Sequence, residues 1–212
     1  MLSDVSSGRQ VFEGRLAADE DVLWYGQPKT SVLFDANDIF LVPFSLLWGG
    51  FALFWEGSVI ADLLGGETKS GNGGDLREFA IFGVVMVLAG LYLIVGRFFG
   101  KRWLKRRTHY VVTNQRTVVL VSVKAGRILS LELEHLTALS KSVRKDGVGT
   151  IRLGKRPLWT NQHDNSGLDV PMYLSSRQKP PPVFYDIADA DRVYELINEL
   201  RREGRKPRHA YR

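Results

Sequence analysis

Two stretches of this chain carry no charge, and neither shows the polar stripe that a surface helix repeats every three or four positions. Ile39–Trp55 runs 17 residues without a charged side chain, and Phe79–Gly96 runs 18. The second is almost wholly Phe, Ile, Val, Leu, Met and small residues. The first is interrupted by Pro43, Ser45 and Glu56, and its apolar character resumes at Val59 and Ile60. A helix advances about 1.5 Å per residue, so roughly 20 residues cross the hydrocarbon of a bilayer. With their flanks both stretches reach that length, and they read as transmembrane helices at residues 37–60 and 78–99. Pro43 falls in about the first turn of its helix, where a missing N–H costs little.

Beyond residue 107 the period becomes that of strands. Tyr110-Val111-Val112-Thr113 is β-branched and aromatic, Asn114-Gln115 marks a tight turn, and Arg116–Val123 follows. Ala125-Gly126 turns the chain into Arg127–Leu136. Thr137–Lys145 alternates well, Asp146-Gly147 is a hairpin signal, and Gly149–Leu153 returns. Residues 154–182 are polar and proline-bearing, a loop with one short strand near Met172–Leu174. Val183–Ile187 reads as a last strand, and Asp189 suits an N-cap. Val193, Leu196, Ile197 and Leu200 then line one face of an amphipathic helix that Gly204 ends.

The fold class is therefore α+β: a two-helix transmembrane hairpin, then short antiparallel strands forming a small barrel or bent sandwich plugged by a C-terminal helix. The organisation is an N-terminal cytoplasmic segment 1–36, the first span 37–60, a short external connector 61–77 and the second span 78–99. A basic juxtamembrane segment 100–107, the strand-rich domain 108–204 and a basic tail 205–212 follow. Residues 1–20 read as a loosely ordered lead. Asp21–Phe34 reads as a short strand and a turn at Gly26-Gln27-Pro28.

Charge sets the sidedness. Arg97 to Arg107 supplies six Lys/Arg and no acid directly after the second span, whereas residues 57–78 carry only Lys69 and Arg77 against Asp62, Glu67, Asp75 and Glu78. Basic residues near span ends stay in the cytoplasm, so the connector faces outward and both termini lie inside. The first apolar stretch begins near residue 39 behind an acidic segment, which reads as an uncleaved anchor rather than a signal peptide. The net charge of +6 adds attraction to anionic lipid, for which Lys101, Arg102, Trp103, Lys105, Arg106 and Arg107 are the expected membrane-surface contacts. No base-reading motif accompanies the charge, so nucleic acid is not an expected partner. The absence of cysteine excludes disulfides, thiolate catalysis and cysteine-ligated metals.

In order along the chain come Glu20-Asp21-Val22-Leu23-Trp24-Tyr25-Gly26-Gln27-Pro28, Tyr110-Val111-Val112-Thr113-Asn114-Gln115-Arg116, Leu131–Leu136, Asp146-Gly147-Val148-Gly149-Thr150-Ile151 and Phe184-Tyr185-Asp186-Ile187 before Val193-Tyr194. This ordered set, behind two spans and covering nearly the whole chain, resembles small bacterial membrane proteins with a pleckstrin-homology-like (PH-like) domain of unknown function. The resemblance implies a seven-stranded bent β-barrel capped by one helix, in a multi-pass protein of the bacterial inner (cytoplasmic) membrane. It implies little about activity, because fold does not settle function.

Candidate chemistry is thin. Phosphoinositide-binding PH domains generally use a long basic loop between their first two strands. Here that connection is Asn114-Gln115, beside the single cation Arg116, whose plain role is at a strand edge. His109, His135, His163 and His209 lack metal-binding spacing, so no metal or cofactor is expected. His163-Asp164 reads as part of a solvated loop, and His135 as an exposed cross-strand partner. Glu56, the one acid within the apolar stretches, is a functional candidate by default, with interfacial snorkelling as its plainer role. Gly49, Gly50, Gly83 and Gly90 permit close approach of the two spans. The expected function is a membrane-anchored docking or scaffolding module without catalysis, engaging the lipid bilayer, a protein partner and further copies of itself. The alternatives are a transport or channel subunit using Glu56, and a membrane enzyme using the 154–182 loop.

Overall fold

The computed structural model describes residues 6, 10–34, 38–65, 73–122, 126–154, 165–168, 170–171 and 182–204, with backbone alone at 63, 73–80 and 204. The chain divides into two compact units. A strand unit takes residues 1–32, 102–161 and 171–212, and a helical unit takes 33–101 with 162–170.

In the strand unit, β1 (Val22–Gly26), β2 (Thr108–Thr113), β3 (Arg116–Val121) and β4 (Arg127–Glu132) form an antiparallel sheet in that order. A second antiparallel sheet holds β5 (Leu139–Val143), β6 (Gly149–Leu153) and β7 (Val183–Ile187). Turn chemistry places the hairpins. Thr113 Oγ1 accepts from the Arg116 N–H at 3.0 Å, which closes the β2–β3 turn. Gly147, at φ +76°, and a bond from the Val148 N–H to Asp146 Oδ1 close the β5–β6 turn.

The expected closed barrel is replaced by these two sheets, which do not close among the described residues. The break comes after β4. Leu133 donates its N–H to the Gln115 carbonyl, and Leu136 donates to the Leu133 carbonyl, so residues 133–136 turn out of the first ladder. Leu133 and Leu136 are then buried, which commits the chain to starting a new sheet.

Alternation on β2 explains the two cores. Tyr110 and Val112 face a main core with Val119, Val121, Ile151, Phe184 and Ile187. The helix Ala190–Gly204, here α4, adds Ala190, Val193 and Ile197 to it. Asp189 stands at the N-cap position, where its carbonyl accepts the Val193 N–H at 3.1 Å. Gly149 is required beneath α4, since a Cβ there would lie 2.7 Å from the Ala190 Cβ. Each fully buried Phe or Ile contributes roughly 1.5–3 kcal/mol.

Val111 on the opposite face of β2 joins Val118, Leu120, Val22 and Phe12 in a second cluster, with Val11 and Leu16 packed against it. The expectation of a loose lead over residues 1–20 therefore fails for residues 11–20. Phe12 is fully buried, and β1 adds a strand to the first sheet.

The helical unit contains α1 (Asp38–Gly65) and α2 (Gly73–Leu91). A π-helical turn (Tyr92–Gly96) follows and runs directly into α3 (Arg97–Arg106). Both helical runs extend past the expected span bounds. Residues 61–65 and 73–77 of the expected connector are helical, and helix continues through the basic run, where Lys, Arg and Leu are good helix formers. Two segments, Asp38–Asp62 and Ile81–Arg106, are long and apolar enough to cross a membrane. The short strand expected near Met172–Leu174, and the basic tail 205–212, lie outside the described residues.

Candidate functional site

Small residues bring α1 and α2 together. Ser45, Gly49, Ala52 and Glu56 are buried at spacings of four, three and four, a single helical stripe. A Cβ on Gly90 would lie 3.0 Å from the Gly49 Cα, and one on Gly49 would lie 2.5 Å from Ile94 Cδ1. Gly83 meets Glu56: any Cβ at Gly83 would collide with the Glu56 carboxyl group. Both contacts step seven residues in opposite directions, from 49 to 56 and from 90 to 83, the register of an antiparallel helix pair. The expectation that Glu56 snorkels outward is corrected here. Its side chain turns into the helix contact, 6% exposed, and Oε2 has no hydrogen-bond partner among the described residues.

The other end of this unit is ionic. Arg97 is fully buried and pairs with the buried Asp38. Its Nε donates to the Leu93 carbonyl at 2.9 Å, and its guanidinium lies 4.3 Å from the Phe98 ring centroid. Residues 165–168 fold onto the same place: Tyr92 donates to the Gly167 carbonyl at 2.6 Å, and Gly167 at φ +87° abuts the Arg97 backbone. Lys101 is also buried and donates to the Leu33 carbonyl at 2.9 Å.

In the strand unit, Lys105 is buried. Its Nζ meets Asp186 Oδ2 at 2.5 Å, the Val32 carbonyl at 2.5 Å and the Lys29 carbonyl at 3.3 Å. The set expected at the membrane surface is thereby divided. Arg102, Arg106 and Arg107 are exposed and Trp103 is half-buried beneath the Arg107 guanidinium, whereas Lys101 and Lys105 are enclosed by protein partners. The physical reason is spacing. Arg97, Lys101 and Lys105 recur every four residues and share one stripe of α3, away from the exposed cations.

Arg116 is more than a strand-edge cation. It forks onto Glu20, whose side chain is 1% exposed, and Thr113 Oγ1 donates to the same carboxylate at 2.7 Å. Burial alone would push the Glu20 carboxyl up, but bonds from Arg116, Thr113 and the Ala17 N–H hold it below its ordinary value.

His109 is half-buried beside Tyr25 and Gln27. Tyr25 Oη lies 2.8 Å from its Nδ1, and burial pushes its pKa down. His135 is exposed and meets Glu132, three residues back rather than across a strand, at 2.8 Å. His163, Asp164 and His209 lie outside the described residues. No group of three or more His, Asp or Glu able to hold a metal occurs among the described residues.

The ion pairs of Arg97, Lys105 and Arg116 each tie together segments distant in sequence. Glu20, Asp38 and Asp186 carried no sequence signal of their roles. The four-residue repeat of Arg97, Lys101 and Lys105 did carry one. Comparison with models of known families, with curated proteins and with solved structures finds no match.

Proposed function

We propose that this chain is a membrane-anchored docking or scaffolding module, in which α1 and α2 cross the bilayer and the strand unit binds protein partners at its cytoplasmic face. The observation that carries the reading is the outward direction of the apolar side chains. Ile39, Phe40, Leu47 and Phe54 are each more than 70% exposed, and only 28% and 17% of the two apolar windows are buried. A helix in a soluble core covers such residues with other protein. Here the bilayer supplies the cover.

The exposed cations Arg102, Arg106 and Arg107 support a cytoplasmic position for the end of α3. The PH-like reading is supported by seven strands among the described residues followed by a helix seated on the core. Docking is supported by β4, an edge strand among the described residues whose side chains alternate between half-buried and exposed, with Ile128 on the exposed side. An open edge of this kind pairs with an extended segment of a partner. Glu56 faces Gly83 of its own helix pair, which favours an anchor over a transport pathway.

The test is fractionation followed by proximity labelling in cells, with the label fused after Arg212. The expected result is detergent-dependent extraction, cytoplasmic neighbours and a neighbour set that Ile128→Glu depletes. A chain soluble without detergent, or a label reporting from outside the cell, overturns the reading.

A further inference from the structure

We propose that residues 165–168 and Val170 are a strap that selects the π-helical form of Tyr92–Gly96. When the strap is drawn off, the turn reverts to α-helix, and Arg97 and Lys101 rotate away from Asp38 and the Leu33 carbonyl. Every contact involved lies within the helical unit.

The turn rests on hydrogen bonds that a plain helix distributes otherwise. The Arg97 N–H reaches back five residues to the Tyr92 carbonyl. In an α-helix it takes the carbonyl four residues back, that of Leu93. The vacated acceptor is filled by the Arg97 side chain, whose Nε donates to it at 2.9 Å. The same guanidinium pairs with Asp38, and its Nη2 is buried with no hydrogen-bond partner among the described residues. The π form thus uses Arg97 as a substitute donor and leaves part of that side chain unsatisfied. Of two closely related arrangements it is the more costly, and it needs a further hold.

The strap supplies that hold by gripping both sides of the turn. At its start, Tyr92 Oη donates to the Gly167 carbonyl at 2.6 Å, and the Tyr92 ring lies over Gly96, where a Cβ would come within 2.8 Å of Cδ2. At its end, Gly167 stands at φ +87° against the Arg97 backbone, so close that a Cβ would lie 2.2 Å from the Arg97 carbonyl oxygen. One turn beyond Gly96, Val170 packs on Gly100, where a Cβ would lie 3.2 Å from Val170 Cγ2. A π-turn holds one residue more than the α-helical path, so reversion rotates all that follows by roughly 100° relative to Tyr92. The strap then reaches Tyr92 or the surface of Arg97 and Gly100, but not both, so it fits the π form alone. Contacts that discriminate between two forms in this way set the balance between them. The chain before residue 162 and after residue 170 belongs to the strand unit, which makes the strap a covalent route from that unit to the π-turn.

The test is distance measurement between nitroxides at Leu47→Cys and Phe99→Cys in the full chain in detergent micelles. Both sites are exposed, and the sequence has no cysteine of its own. A 100° turn moves a side chain at the outer radius of a helix by roughly 8 Å. Tyr92→Phe and Gly167→Val are therefore each expected to add a second distance population, resolved from that of the wild type. Deletion of Val95 removes the extra residue and lets an α-helix place Arg97 where the π-turn places it now. In that background the wild-type distance is expected, and neither strap substitution changes it. An unchanged distance in both strap variants overturns the proposal. A shift that persists without Val95 overturns it as well, since the strap then acts on general packing and not on the turn. Where Gly167→Val loses its helical circular dichroism, Tyr92→Phe decides.

Discussion

Arg116 holds Glu20 through two parallel hydrogen bonds, Nε to Oε1 at 2.8 Å and Nη2 to Oε2 at 2.9 Å, across 96 positions of sequence. The fork fastens the segment carrying Phe12 to the β2–β3 turn, so the second core cluster and the first sheet are tied by one charged pair. Arg116→Ala is expected to lower stability by about 2–3 kcal/mol, because it leaves a buried carboxylate without its main donors. Arg116→Lys restores little, since an ammonium cannot reproduce the fork. Hydrogen exchange checks the location of the loss: amides of residues 11–20 become unprotected first, ahead of β6 and β7.

Acid destabilisation follows from two groups in the strand unit. Glu20 is held below its ordinary value near 4.5, so its contribution is complete above that pH and is lost as pH falls through the lower folded value. His109 is depressed by burial from near 6.5, so the folded state resists its protonation and stability falls as pH drops below that value. Two declines are expected in urea midpoints measured from neutral to acid pH. His109→Gln removes the upper one, and Glu20→Gln the lower.

How far the sequence revealed this differs by element. β2, β3, β6, β7 and α4 were legible because β-branched and aromatic runs, a 3.6-residue period and turn residues such as Asp146-Gly147 act locally. The two apolar helices were legible from long stretches without a charged side chain. The packing of residues 11–20 was not, since Val11, Phe12 and Leu16 have no diagnostic period and are buried only by a partner surface on β2 and β3. The point at which the first sheet ends was equally hidden, because it depends on where Leu133 and Leu136 find a core. Cations are ordinarily solvated, so Lys101 and Lys105 read as surface residues. Their four-residue repeat with Arg97 marks a shared stripe, but the partners that bury it, carbonyls of residues 29–33 and Asp186, lie far away in sequence.

The two classes of cation between Arg97 and Arg107 respond oppositely to substitution. Replacing Arg102, Arg106 and Arg107 by Gln removes exposed charges, each worth about 1 kcal/mol of attraction near an anionic surface. The expected result is loss of the extra thermal stability conferred by anionic over zwitterionic lipid, with unchanged stability in zwitterionic lipid. Lys105→Ala instead removes a buried ion-pair partner of the Asp186 carboxylate, 10% exposed, and is expected to cost about 3 kcal/mol in either lipid.

Adjacent glycines on α1 provide the sharpest contrast for the helix pair. A Cβ at Gly49 would lie 2.5 Å from Ile94 Cδ1, whereas a Cβ at Gly50 meets nothing within 4 Å. Gly49→Leu forces extra atoms into a filled seam and is expected to destabilise the pair by about 1–3 kcal/mol. Gly50→Leu adds an apolar side chain on the exposed face and removes a poor helix former, so it is expected to be neutral or stabilising by up to roughly 1 kcal/mol. Detergent-denaturation midpoints of the helical signal compare the two directly. Equal effects would mean that α1 and α2 do not meet through this face. A loss confined to Gly49→Leu, matched by Gly90→Leu, ties the antiparallel register to the stripe of Ser45, Gly49, Ala52 and Glu56.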